Sequence, residues 1–175
     1  IYTLPNLLKN YYGNVTENNI KLLFEGSYNT VSIIRNDGVE YHNISDISYT
    51  IIDLIPDTSY SFTIIPYLGD ISGNKLIYDY KYTLPKITSV IYEDLSANSI
   101  SLHFIGKFHY VNVIRNDGFS INNIHDAIYK DVDLQPNTEY YYTIIPFNNE
   151  DMSGNIFVSE IGRAHVWTPV TLESR

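Results

Sequence analysis

Histidine is the residue type in this sequence best suited to acid–base catalysis, but the spacing of the histidines matches no known catalytic or metal-binding motif. The five histidines are His42, His103, His109, His125 and His165. None forms an H-x-H or H-E-x-x-H pair, and the sequence has no G-x-S-x-G, P-loop or dinucleotide-binding motif. We therefore expect no enzyme activity, no catalytic residue and no cofactor, and we interpret His103 as an outward-facing residue of a strand.

Paired carboxylates are the other candidates for chemistry, because they could hold a metal ion. The pairs are Glu93 with Asp94, Asp131 with Asp133, and Glu150 with Asp151. A Ca²⁺ ion takes six to eight oxygen ligands, and no D-x-[DN]-x-[DN]-G loop surrounds any of these pairs. Each pair lies in or beside a predicted turn. We interpret them as solvated turn residues and predict no metal site.

An Asn-Asp-Gly tripeptide follows an arginine at two places and invites comparison with receptor-binding loops. The copies are Asn36-Asp37-Gly38 and Asn116-Asp117-Gly118. The order is not Arg-Gly-Asp, and an Asp-Gly step supplies the positive φ that a tight hairpin needs. We therefore predict that both copies form a C–C′ turn between consecutive strands.

Two N-glycosylation sequons begin at Asn14 and Asn43. They are relevant only if the protein is secreted by a eukaryote or made during infection of one. In an asparagine-rich chain such triplets also arise often by chance.

The composition narrows the classes of partner. The 175 residues carry a formal net charge of −9 and no cysteine. An acidic chain lacks the basic face that phosphate binding requires, so we expect no nucleic-acid partner. No apolar run approaches 18 residues, so we expect no membrane insertion. The absence of cysteine excludes disulfides and cysteine-based metal sites.

An internal repeat with an offset of 80 residues organises the chain. Tyr2-Thr3-Leu4-Pro5 returns at 82–85, Ile34-Arg35-Asn36-Asp37-Gly38 at 114–118, and Thr63-Ile64-Ile65-Pro66 at 143–146. We predict that residues 1–4 end a preceding repeat, that residues 5–84 form a first domain and that residues 85–160 form a second. Residues 161–175 have no counterpart in the first repeat. They resemble a translated sequencing adapter, and we interpret them as a non-native tail.

Side chains alternate between apolar and polar along short segments, which indicates β-strands. Ile100, Leu102 and Phe104 alternate with Ser101 and His103. Turn residues separate about seven such segments in each repeat. Tyr78, Tyr80 and Tyr82 alternate with charged or polar residues, so we predict that all three tyrosines face a core rather than forming an exposed ladder.

The segment between the fifth and sixth strands resembles the fibronectin type III family. Leu54-x-Pro56-x-Thr58-x-Tyr60 and Leu134-x-Pro136-x-Thr138-x-Tyr140 have that family's spacing, and the resemblance covers nearly all of residues 6–160. It implies two tandem immunoglobulin-like β-sandwiches in an all-β chain, with Tyr60 and Tyr140 as tyrosine corners. Leu54 and Leu134 are then core residues. Phe24 and Phe104 occupy the strand B core position where the family usually has Trp.

The resemblance favours a non-catalytic structural and adhesion module, formed by spacer repeats of a longer surface, secreted or virion-associated protein. The alternative is an accessory, carbohydrate-associated module of a multidomain extracellular enzyme. The partners that we expect are neighbouring repeats of the same chain and a protein or a glycan. The expected location is extracellular, at a cell surface or on a virion.

Overall fold

The computed structural model describes residues 4–159 and 162–163, and all of its regular structure is β-strand. The chain forms two compact units. Unit 1 comprises the described residues through Leu84 together with Asn148–Met152, and unit 2 comprises Pro85–Phe147 and the described residues from Ser153 onward. The described part contains no helix that is long and apolar enough to cross a membrane. The predicted all-β class is confirmed.

Unit 1 has eight strands in two antiparallel sheets. They are β1 (Asn6–Val15), β2 (Ile20–Ser27), β3 (Thr30–Arg35), β4 (Glu40–Ile44), β5 (Ser48–Ile51), β6 (Ser59–Leu68), β7 (Ile71–Ser72) and β8 (Leu76–Tyr82). One sheet has the order β1-β2-β5. In the other, β4 pairs with β3, β3 with β6, and β6 with both β7 and β8.

Unit 2 repeats this arrangement with its sixth and last strands each split into two segments. Its strands are β9 (Lys86–Glu93), β10 (Ile100–Lys107), β11 (Tyr110–Arg115), β12 (Ser120–Ile124), β13 (Ile128–Asp131), β14 (Glu139–Tyr140), β15 (Tyr142–Phe147), β16 (Phe157–Val158) and β17 (Gly162–Arg163). The sheets have the orders β9-β10-β13 and β12-β11-β15-β16, and β14 pairs with β17.

Alternate residues of the central strands fill one core in each unit, as the period of two requires. On β6, Tyr60, Phe62 and Ile64 are buried between half-buried neighbours. The four predicted core residues are buried as well: Phe24 and Leu54 in unit 1, Phe104 and Leu134 in unit 2. Each unit therefore has the inward-facing sheet surfaces of a β-sandwich.

The prediction that Tyr78, Tyr80 and Tyr82 all face the core is wrong. Tyr78 is buried, but Tyr80 is 63% exposed and Tyr82 is only half-buried. The pairing of β6 with β8 shifts register at this point: Phe62 lies opposite Tyr78, whereas Tyr60 lies opposite Lys81. A bulge adds one residue to β8 and reverses which of its side chains point inward.

Candidate functional site

Both tyrosines at the predicted corner position close a short loop by a backbone hydrogen bond. The N–H of Ile55 donates to the hydroxyl of Tyr60 at 3.1 Å, and the N–H of Gln135 donates to the hydroxyl of Tyr140 at 2.9 Å. Both rings are buried, so each hydroxyl satisfies a backbone donor that water reaches poorly. This arrangement serves the architecture of each unit.

The Asn-Asp-Gly copies form three-residue hairpin loops. Gly38 and Gly118 have φ values of 90° and 91° and supply the left-handed residue of each loop. In each copy the N–H of the glycine donates to the carbonyl of the preceding arginine, Arg35 at 2.8 Å and Arg115 at 2.9 Å. The geometry is that of a turn, and Asn36 and Asn116 brace it by accepting the N–H of Ser61 and of Tyr141.

An arginine clamps the aspartate of each hairpin loop. Arg35 donates from Nε and Nη2 to Asp37, both at 2.7 Å, and Arg115 contacts Asp117 in the same way. These hydrogen bonds hold the pKa values of Asp37 and Asp117 below the ordinary range. Because each aspartate is engaged by its own chain, the loop presents an occupied carboxylate rather than one free to bind a receptor.

Asp131, predicted as a solvated turn acid, is instead the most deeply buried carboxylate in the described residues. It lies at the end of β13 with 2% of its surface exposed. Arg115 Nη1 donates to both of its oxygens, at 3.0 and 2.9 Å, and the hydroxyl of Tyr142 donates to Oδ2 at 2.8 Å. The prediction was wrong because Asp131 occupies an inward position of its strand, the position that Ile51 fills in unit 1.

Ser32, His42 and Glu40 form a hydrogen-bonded chain that the sequence did not reveal. Ser32 Oγ lies 3.0 Å from His42 Nδ1, and His42 Nε2 lies 3.1 Å from Glu40 Oε2. A hydrolase connects its nucleophile, base and orienting acid in this order. However, the side chains of His42 and Glu40 are 56% and 51% exposed, so water weakens both interactions. Ser32 and His42 meet only because a register shift in the β3–β4 pairing brings them together.

His103, His109 and His125 also have close neighbours, and His165 lies outside the described residues. His103, on β10, is half-buried and contacts Glu93 through Nδ1 at 3.2 Å. The rings of His109 and His125 have centroids 5.0 Å apart, and His125 Nδ1 lies 3.1 Å from the carbonyl of His109. In the part of the chain that the structure describes, no three His, Asp, Glu or Cys side chains converge as a metal site would require.

The two sequon asparagines are exposed on strands of unit 1. Asn14 lies near the end of β1, and Asn43 lies on β4 with a left-handed φ of 58°. Both side chains are accessible for modification.

An open hollow of about 430 Å³ lies at the surface of unit 1. Its lining includes Tyr11, Glu25, Tyr28, Ser45 and Ile47. The hydroxyl of Tyr11 donates to Glu25 Oε1 at 3.3 Å. Unit 2 has isoleucines, Ile91 and Ile105, at the positions that correspond to Tyr11 and Glu25. The tyrosine and the glutamate that line the hollow therefore have no counterpart in unit 2.

Comparison with known proteins identifies the fold through solved structures. No protein-family model and no curated protein matches the sequence. Among solved structures, a two fibronectin type III domain segment of chicken tenascin is similar, with a TM-score of 0.60 and 15% sequence identity. The similarity covers 90% of this chain and 99% of that segment. Together with the two sandwiches, it shows that the chain has the fold of tandem fibronectin type III domains.

Proposed function

We propose that the chain is a non-catalytic structural and adhesion module, made of spacer repeats of a longer surface, secreted or virion-associated protein. This proposal rests on the observation that the features shared by the two units are structural ones. Both have the tyrosine corner and the arginine-clamped hairpin loop, which hold the fold together. Repeats that act as spacers need the same stabilising features, whereas their surface residues can differ from one repeat to the next.

The hydrogen-bonded chain of Ser32, His42 and Glu40 is present in unit 1 only. Ser32, His42 and Glu40 of unit 1 correspond to Asn112, Asn122 and Ser120 of unit 2, which contain no base and no acid. In addition, the N–H of Gly69, beside Ser32 in a surface pocket, donates to Asn29 Oδ1 at 3.3 Å. That donor is therefore already occupied and is not aimed at a developing oxyanion.

Mechanical unfolding tests the spacer role. Pulling on the chain should give two separate unfolding events, each adding roughly 250 Å, the length of about 80 extended residues less their folded span. One event for the whole chain, or gradual extension without events, would contradict the proposal.

An activity assay on the same protein tests the non-catalytic part of the proposal. Chromogenic esters should be hydrolysed no faster than in buffer, and Ser32→Ala should change nothing. Hydrolysis that Ser32→Ala abolishes and Asn112→Ala leaves intact would show that Ser32 acts as a nucleophile, and the proposal would then be wrong.

The hollow of unit 1 supports a second candidate, an accessory module that binds a carbohydrate. Tyrosine rings and a carboxylate provide stacking surface and hydroxyl acceptors for a sugar, and the volume is within the range of ligand pockets. Glycan-array binding that Tyr11→Ala removes, and that Ile91→Ala in unit 2 leaves unchanged, would favour this candidate. Absence of binding to any glycan would exclude it.

A further inference from the structure

Each hairpin loop contains an aspartate that is followed directly by a glycine, and such a pair can react within the chain. The pairs are Asp37-Gly38 and Asp117-Gly118, the two Asp-Gly steps of the sequence. A glycine has no side chain to shield its own backbone nitrogen, so this nitrogen reaches the carboxyl carbon of the preceding aspartate with little steric hindrance. Asp-Gly steps are therefore the aspartate steps most prone to cyclise.

Cyclisation and ring opening rearrange the backbone without any reagent except water. The glycine nitrogen attacks the aspartate Cγ and forms a C–N bond, while the carboxyl hydroxyl leaves with the N–H proton as one water. The product is a five-membered succinimide. One water then opens the ring, and attack at the former backbone carbonyl leaves isoaspartate, whose main chain is longer by one methylene. The neutral acid is the reactive form, because a carboxylate has no hydroxyl to leave.

In unit 1 a clamp keeps this acid ionised. Arg35 Nε donates to Asp37 Oδ1 and Arg35 Nη2 donates to Oδ2, both at 2.7 Å, and the N–H of Val39 donates to Oδ1 at 3.3 Å. Protonation would place an O–H beside a guanidinium that has five donors and no acceptor, so these contacts disfavour the neutral acid. The carboxyl group of Asp37 is therefore held in the form that does not cyclise.

Unit 2 repeats the clamp with its own arginine. Arg115 Nε and Nη2 lie 2.9 Å from Asp117 Oδ1 and Oδ2, respectively, and the N–H of Phe119 donates to Oδ1 at 3.1 Å. In both loops the arginine hydrogen bonds hold the pKa of the aspartate below its usual range. Protection of the carboxyl group is therefore a feature that the two repeats share.

The backbone nitrogen of each step is engaged as well. The N–H of Gly38 donates to the carbonyl of Arg35 at 2.8 Å, and the N–H of Gly118 donates to the carbonyl of Arg115 at 2.9 Å. Ring formation replaces this proton with a bond to carbon, so the hydrogen bond that closes the turn is lost when the ring forms. The folded turn therefore opposes the reaction at the nitrogen as the clamp opposes it at the carboxyl group.

We infer that Asp37-Gly38 and Asp117-Gly118 are latent sites of isoaspartate formation, and that the clamping arginine of each loop suppresses the reaction. The arginine then has a second role beside shaping the turn. A methylene inserted into a three-residue loop would lengthen the connection between β3 and β4, or between β11 and β12, and disturb the turn. The chemistry needs only this chain and water, so it does not depend on the proposed adhesion role.

Incubation in ¹⁸O-labelled water at neutral pH and body temperature tests the inference. Each ring opening adds one solvent oxygen, and the aspartate and isoaspartate forms of a proteolytic peptide separate by chromatography before mass spectrometry. Arg35→Gln should raise the rate of isoaspartate formation at Asp37 at least about threefold, because the neutral acid is no longer disfavoured. Asp117 of the same variant keeps its clamp, so it should react at the wild-type rate and serves as an internal control.

Two further variants separate the clamp from the stability of unit 1. Tyr60→Phe removes the hydroxyl of the tyrosine corner, lowers stability and leaves Arg35 on Asp37. It should raise isoaspartate at Asp37 less than Arg35→Gln does. Arg35→Lys keeps the charge but cannot donate through a planar fork, so it should give an intermediate rate. Circular dichroism checks folding, and Arg35→Lys replaces Arg35→Gln if that variant unfolds.

The unfolded chain gives the rate without the clamp and the turn. In urea both wild-type steps should isomerise faster than in the folded protein and at similar rates, because the sequence Arg-Asn-Asp-Gly is the same in both. Three results would each overturn the inference: a folded wild type that reacts as fast as the chain in urea, a rate at Asp37 that loss of Arg35 leaves unchanged, or equal effects of Tyr60→Phe and the arginine variant.

Discussion

At three equivalent positions of the core, the two units have side chains that differ in polarity and size. Unit 1 places Ile51, Phe62 and Tyr78 there, and the polar group among these three side chains is the Tyr78 hydroxyl, which donates to the carbonyl of Leu23 at 2.5 Å. In unit 2 the corresponding residues are Asp131, Tyr142 and Ser159. A small serine replaces the large tyrosine, and a carboxylate and a hydroxyl replace two apolar side chains.

The difference shows that a buried carboxylate in this fold requires hydrogen-bond donors beside it. Asp131 is held by Arg115 and by the hydroxyl that distinguishes Tyr142 from Phe62. The arginine is present in both units, because Arg35 clamps Asp37 as Arg115 clamps Asp117. Unit 2 therefore has an acid and a hydroxyl that unit 1 lacks, beside an arginine that both repeats have. Burial and the nearby Asp131 together raise the pKa of Tyr142, which keeps its hydroxyl protonated as a donor.

Removing the acid alone should break this comparison most severely. Asp131→Ala leaves a buried guanidinium nitrogen and the Tyr142 hydroxyl without their acceptor, and should cost unit 2 about 3–5 kcal/mol. Hydrogen exchange followed by mass spectrometry, read separately from peptides of each unit, should show faster exchange in unit 2 only. A loss below about 1 kcal/mol would mean that water replaces the carboxylate.

Giving unit 2 the apolar residues that unit 1 has at these positions should not lower the free energy of unfolding of unit 2. The double variant Asp131→Ile with Tyr142→Phe removes the buried acid and the hydroxyl together and leaves Arg115 on Asp117, as Arg35 is on Asp37. Only the acid of the ion pair is replaced, so the expectation rests on unit 1, where the apolar Ile51 and Phe62 are buried in a unit whose arginine is clamped on Asp37. The same exchange measurement should give a unit 2 at least as stable as wild type, and a clear loss would show that Ser159 leaves too much space for the apolar set.

Although the cores differ, the two tyrosine corners should contribute equally to the stability of their units. Tyr60→Phe and Tyr140→Phe each leave one backbone N–H without its acceptor, at a cost of about 1–2 kcal/mol. Urea unfolding monitored by unit-specific NMR signals should give equal losses in the two units. A cost confined to one unit would mean that the corner is not an equivalent support in both.

Acid should have the smallest effect and should act on both units equally. The hydrogen bonds from Arg35 and Arg115 depress the folded-state pKa values of Asp37 and Asp117. Their contribution is therefore present above the unfolded pKa and is lost as the pH falls through the folded pKa. Because both carboxylates are about half exposed, the contribution is small. Carboxyl ¹³C titrations should place both midpoints below the ordinary range for Asp, and a normal midpoint for either would contradict the clamp.

The sequence by itself determined the repeat and the class of fold. The offset of 80 residues, the alternation of period two and the Asp-Gly turns are local or periodic signals, and each specifies strands and turns without knowledge of what packs against them. The resemblance of the segment from Leu54 to Tyr60 to the fibronectin type III pattern implied the corner tyrosine, and this feature is local because its hydrogen bond reaches only five residues back along the chain.

Contacts between distant strands decided the rest. Asp131 reads as a turn acid until the sheet brings Arg115 and Tyr142 to it, although its alignment with Ile51 was a signal that the position is buried. The exposure of Tyr80 depends on a bulge in the pairing of β8 with β6. The chain of Ser32, His42 and Glu40 depends on a register shift between β3 and β4. Strand register is set by packing across the whole sheet, and a one-residue shift reverses which side chains meet.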